Sequence, residues 1–109
     1  MKNLILLIMF TIACASCDTM PNKSNVYIMT QNLLEEKFKY TVNEIDFPMF
    51  DYGFDDLKDS TYIVVSYFTY KNEFNVEKKF GYKAKVKYNG GAWEKSNNWE
   101  LIYVNEYNY

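Results

Sequence analysis

The sequence predicts an α+β protein: one N-terminal amphipathic helix packed on a three- to four-stranded antiparallel β-meander. Three observations carry this prediction. Residues 25–43 repeat apolar side chains at helical spacing, and residues 79–88 alternate strictly between apolar residues and Lys or Gly. Aromatic residues make up 19 % of the chain, a supply suited to a sheet-built core.

In residues 25–43, Val26, Met29, Leu33 and Tyr40 follow one helix face, with Leu34, Phe38 and Val42 beside it. Such a stripe needs a partner layer to cover it. Ser24 or Asn25 is the expected N-cap, and Glu35 and Lys39 stand four apart in the favourable order. Residues 44–60 then read as a short edge strand leading into an acidic loop. Pro48 breaks any helix there, while Phe50, Tyr52 and Phe54 would share one face of an extended segment.

The stretch "TYIVVSYFTYK", residues 61–71, is apolar on both faces and reads as a central strand. Residues 72–76 form a turn with two Asn. In residues 79–88, Phe80, Tyr82, Ala84, Val86 and Tyr88 face one way, and Lys79, Gly81, Lys83, Lys85 and Lys87 the other, as in a half-buried antiparallel strand. Asn89-Gly90-Gly91 is a hairpin signal, because these residues tolerate positive φ. Residues 92–95 start the return strand, Ser96–Asn98 break it, and residues 99–107 form the last one.

The start of the chain is set apart from this domain. One Lys is followed by an apolar run, Leu4 to Ala13. About 20 apolar residues are needed to span a bilayer, so the run fits a secretory signal instead. Ala15-Ser16-Cys17 follows and resembles the lipobox of bacterial lipoproteins, although Cys14 stands where Leu is usual. That resemblance implies lipid attachment at Cys17, with Cys14 as second choice, and a cell-envelope location on a lipid-anchored membrane face. A plain secreted protein is the alternative. A redox or zinc pair is disfavoured, since the chain has only these two Cys and no His. The organisation expected is therefore a signal peptide at 1–16, a tether at 17–24 and a single domain at 25–109. Cleavage before Cys17 removes Lys2 and makes the charge balance more negative by one.

A second resemblance covers Ser66 to Val104. The pattern of a strand, Asn72-Glu73-Phe74-Asn75, a second strand, a Gly-containing turn, Trp93 and Trp99-Glu100-Leu101 is similar to small uncharacterised bacterial domains that often sit behind a membrane anchor. Asn75 stands where that group has Gly, and Asn is the other residue that visits left-handed backbone readily. The resemblance implies a helix packed on an antiparallel sheet and implies no activity.

Composition excludes several functions. Lys+Arg is 12, Asp+Glu is 14 and the formal charge is −2. All the cations are Lys, so the basic surplus and Arg forks of a nucleic-acid binder are missing. Without His or a free mature thiol, the usual Ser–His and Cys–His nucleophile pairs cannot form. Asp46, Asp51, Asp55, Asp56 and Asp59 cluster, but their spacing fits no EF-hand. They read as a solvated loop, so no catalytic residue, metal site or cofactor is expected. The candidate contact surface comprises Trp93, Tyr107, Lys83, Lys85 and Lys87. The expected role is protein–protein contact with an envelope or secreted partner, as an inhibitor, immunity factor or assembly accessory. Glycan or small-ligand binding through Trp93 is the alternative.

Overall fold

The computed structural model describes residues 20–109. The signal segment, Cys14, Cys17 and the first part of the tether lie outside the described residues. Among the described residues the architecture is α+β. Helix α1 spans Lys23–Phe38, and the strands are β1 (Asn43–Asp46), β2 (Gly53–Asp56), β3 (Thr61–Lys71), β4 (Glu77–Tyr88) and β5 (Trp99–Glu106). All strand pairs are antiparallel, in the order β1-β3-β4-β5, with β2 also on β3.

The helix begins earlier and ends sooner than its sequence period suggests. Its cap is Asn22, not Ser24 or Asn25. The Asn22 side chain accepts from the Asn25 N–H at 2.9 Å, and the Asn25 side chain accepts from the Asn22 N–H at 3.0 Å. This reciprocal box satisfies two donors that an open helix end leaves unpaired. At the other end the Thr41 and Val42 N–H groups both fold onto the Phe38 carbonyl. Tyr40 therefore lies beyond the helix and is 87 % exposed, off the expected apolar stripe. Lys39 pairs with Glu36 at 2.8 Å, not with Glu35. The buried helical face is Val26, Met29, Thr30 and Leu34, joined by Tyr27. Thr30 makes its place apolar by donating its hydroxyl to the Val26 carbonyl at 2.8 Å.

The expected three to four strands become five because residues 43–56 form two short strands. Both lie on the edge of β3 that β4 leaves free. Asn43 faces Lys71 and Asp46 faces Thr69; Gly53 to Asp56 then face Val65 to Tyr62. Residues 47–52 bow out between them. Pro48 lacks the N–H that an uninterrupted strand requires, so the ladder breaks there. Asp55 and Asp56 consequently belong to a strand, not to the expected loop. Phe50 also leaves the face predicted for it: it is exposed, while Tyr52 stacks on Tyr27 at 3.8 Å and Phe54 on Tyr62 at 5.8 Å.

Strand β3 has the span predicted for it, and the inward side of β4 is as expected: Tyr82, Ala84, Val86 and Tyr88 are buried. They meet Val64 and Phe68 of β3, Trp99 of β5 and the helix face in one core. Fully burying a side chain such as Val, Leu or Phe contributes roughly 1.5–3 kcal/mol. Phe68 sits at the centre of the aromatic packing, with Phe80 at 5.3 Å, Phe47 at 5.5 Å and Phe38 at 5.6 Å. The Tyr82 hydroxyl is buried here without a hydrogen-bond partner.

The turns follow local chemistry. Asn75 takes the left-handed conformation at φ 61°, and the Asn72 side chain accepts from the Phe74 and Val76 N–H groups at 2.9 and 3.0 Å. The β4–β5 connection is not the tight hairpin expected at Asn89-Gly90-Gly91. Both glycines do have positive φ, but the excursion continues to Asn98, and no strand forms at 92–95. Asn89 N–H closes it by donating to the Asn98 carbonyl at 2.8 Å, and the Asn98 amide donates to the Ala92 carbonyl at 2.9 Å.

Candidate functional site

Among the described residues, the helix covers one face of the sheet and leaves the opposite face without a helical layer. Register sets Asp55, Ile63, Lys85 and Tyr103 side by side, and then Gly53, Val65, Lys83 and Asn105. Lys87 stands between Thr61 and Glu100. Ile63, Val65, Lys83, Lys85 and Tyr103 are half-buried, and Lys87 is exposed. The lysine stems thus lie along apolar neighbours while their ammonium groups reach water.

The chain end lies against the same face. Gly81 has no side chain, and the Tyr107 carbonyl occupies the space a Cβ would need. Tyr107 N–H donates to the Gly81 carbonyl at 2.8 Å. Tyr109 continues across the sheet, with its ring 6.0 Å from that of Tyr67. Its hydroxyl donates to the Asp51 carboxylate at 2.5 Å. Lys79 adds a contact from each side, lying 4.5 Å from the Tyr67 ring centre and donating to the Tyr109 carbonyl at 3.3 Å.

Of the contact residues predicted from sequence, Lys83, Lys85 and Lys87 come together here with Tyr107 nearby. Trp93 does not join them. It is half-buried in the β4–β5 connection and packs on the core, where its carbonyl accepts the Trp99 indole N–H at 2.8 Å. Trp99 itself is buried. The aspartates are dispersed: Asp46 is in β1, Asp51 holds Tyr109, and Asp59 accepts the Thr61 hydroxyl.

A second surface lies between α1 and the 47–52 bow. It is a groove of about 370 Å³, with Ser24, Tyr27, Ile28 and Gln31 on the helix side and Phe47, Met49, Phe50 and Tyr52 on the other. Tyr27 fixes the two walls by donating its hydroxyl to the Pro48 carbonyl at 2.5 Å. Ser66 fixes the bow from below through the Asp51 carbonyl at 2.6 Å. Met49 and Phe50 are left 75 % and 84 % exposed. This groove was missed from sequence, although Pro48-Met49-Phe50 offered a signal: two large apolar residues directly after a strand breaker.

The electrostatics contain few perturbed groups. Burial pushes the Tyr27, Tyr62 and Tyr82 hydroxyls up. The bond to Asp51 pushes Tyr109 up to about 12. The Thr61 hydroxyl draws Asp59 down, and the Glu36 hydrogen bond raises Lys39. Compared with known proteins, the chain matches no family model, no curated protein and no solved structure.

Proposed function

We propose that this chain is a lipid-anchored envelope protein that acts by protein–protein contact, without catalysis, through the sheet face opposite the helix. The observation that carries the reading is the composition of that face: half-buried Ile63, Val65 and Tyr103 interleaved with Lys83 and Lys85, and flanked by Asp55 and Asn105. Aromatic and aliphatic area framed by polar groups is the anatomy of a protein contact. The direction of the pKa shifts also favours binding over acid–base chemistry. Among the described residues every shifted group moves away from neutrality, whereas a general acid or base works best near the operating pH.

The anchor rests on the Ala15-Ser16-Cys17 pattern. Intact mass of chain extracted from membranes tests it: processed chain lacking acyl mass refutes it. Capture from the organism's envelope and culture fluid, read by mass spectrometry, tests the contact. One saturable protein partner that is lost with Lys83→Glu/Lys85→Glu supports the sheet face. Equal capture by that variant refutes it.

A further inference from the structure

We infer that the groove between α1 and residues 47–52 docks on a lipid surface beside the anchor, with Phe50 and Met49 inserted at the headgroup level. This rests on the lipid-anchor reading above and adds to it a second membrane contact and the orientation of the domain.

Three observations combine. The first is tether length. Only four residues, and so five Cα-to-Cα steps, separate Cys17 from the helix cap Asn22, and five such steps span at most about 17 Å. Ser24, Tyr27, Ile28 and Gln31 lie within the first three turns of that helix and form its groove-side flank. A lipid on Cys17 therefore holds this flank within reach of the bilayer. The second is exposure. Phe50, Met49 and Ile28 are large apolar residues left in water, and the bonds from Tyr27 and Ser66 hold the bow out in place. An apolar edge of this kind gains from burial to the glycerol level of a bilayer.

The third is charge. Among the described residues, no acidic side chain lines the groove. Asp51, the nearest in sequence to Phe50, turns its carboxylate to the Tyr109 hydroxyl. Lys23 stands on the groove side, 5.6 Å from the Tyr52 ring centre, and its ammonium suits a headgroup phosphate. A protein partner would be free to approach the groove from any direction, whereas the tether brings lipid to it. The proposed partner face, on the other side of the sheet, stays open.

The test uses the full chain purified from membranes and placed in phosphatidylcholine/phosphatidylglycerol vesicles, with part of the lipid brominated on its acyl chains. An added Trp reports lipid contact, in Phe50→Trp and in Phe74→Trp as control. Phe74 is as exposed as Met49 but lies in the β3–β4 turn. Met20, by contrast, lies beside Tyr88 and Asn89 at the opposite end of β4. The expected result is several-fold stronger quenching of the added Trp at 50 than at 74, with a blue-shifted emission. Equal quenching overturns the docking. A blue shift at 50 that grows with protein concentration in detergent, before any vesicle is added, also overturns it and assigns the groove to a second copy of the chain. Intact mass of the same preparation reports the anchor separately. Acyl mass with equal quenching refutes docking alone. Missing acyl mass refutes the anchor, and docking then stands or falls on quenching by added vesicles.

Discussion

Replacing Gly81 by Ala tests how the chain end is held. A Cβ at this position would strike the Tyr107 carbonyl and lie 3.2 Å from the Tyr109 nitrogen. Both obstacles are backbone, so neither can swing aside as a side-chain tip would. The tail must leave the sheet. It then gives up the Tyr107–Gly81 hydrogen bond and the exposed contacts of Tyr109 with Asp51 and Lys79. A net intramolecular hydrogen bond is worth about 1 kcal/mol, and exposed contacts add little. Against this, Ala restricts the unfolded chain and returns about 0.4–1 kcal/mol where the backbone accepts it. Gly81 is not among the positive-φ residues, so the strand accepts it. The expected outcome is a small loss, up to about 1 kcal/mol, or a Tm lower by up to roughly 4–8 °C for a domain of this size. The sign should reverse in a chain shortened after Glu106, where Gly81→Ala becomes stabilising by about 0.5 kcal/mol. Thermal unfolding followed by circular dichroism measures both arms of the cycle. An equal loss in the two backgrounds would refute the reasoning, because the Cβ would then be meeting something other than the tail.

Tyr82→Phe removes a buried hydroxyl that has no partner; such a group costs about 1–3 kcal/mol, so urea unfolding should show unchanged or higher stability, and a clear loss would mean the hydroxyl is bonded. Asn22→Ala deletes half of the reciprocal cap and should lower stability by about 1 kcal/mol, whereas Asn22→Ser should be close to neutral by the same denaturation assay. The Tyr109 contact should depend on alkaline pH. Its neutral phenol donates to Asp51, and its pKa is raised from 10.0 to about 12. The contribution is therefore complete below pH 10.0 and is lost as pH rises through about 12. Ultraviolet titration should show several late-ionising tyrosines, since burial also raises Tyr27, Tyr62 and Tyr82, and one fewer of them in Tyr109→Phe; an unchanged late step in that variant would refute the Asp51 contact.

Strand β4 was legible because burial of one sheet face writes a period of two directly into its residues, and β3 because a run apolar on both faces marks a central strand. The remainder depended on causes without a period. The helix stripe ran in phase through Tyr40 and Val42, but the Phe38 carbonyl collects the Thr41 and Val42 N–H groups and ends the helix first. The helix start was misplaced because three cap-forming residues, Asn22, Ser24 and Asn25, lie within four positions, and only the reciprocal geometry selects Asn22. At Asn89-Gly90-Gly91 the positive φ was readable. The length of the excursion was not, since it is set by Asn98 closing on Asn89 and Ala92. Segment 43–56 was least legible. Its strands are short, acidic and interrupted, and they are strands only because β3 offers them an edge.

That interrupted edge also explains why the two candidate surfaces differ. The lysine-bearing face came from the sequence as a regular alternation, and a regular sheet displays it. The apolar groove exists because Pro48 cannot donate to the β3 edge. The ladder opens there, Ser66 and Tyr27 satisfy the freed carbonyls of Asp51 and Pro48, and Met49 and Phe50 are left pointing away from the core. Their exposure is thus a consequence of where the edge breaks and of which polar groups repair it. Restoring a donor with Pro48→Val tests this. If the break is the cause, the edge strand should extend toward Phe50, and amide exchange across residues 47–50 should slow. Unchanged exchange would mean that Tyr27 and Ser66 alone shape the bow, and then Ser66→Ala should loosen it while Pro48→Val leaves it as it is.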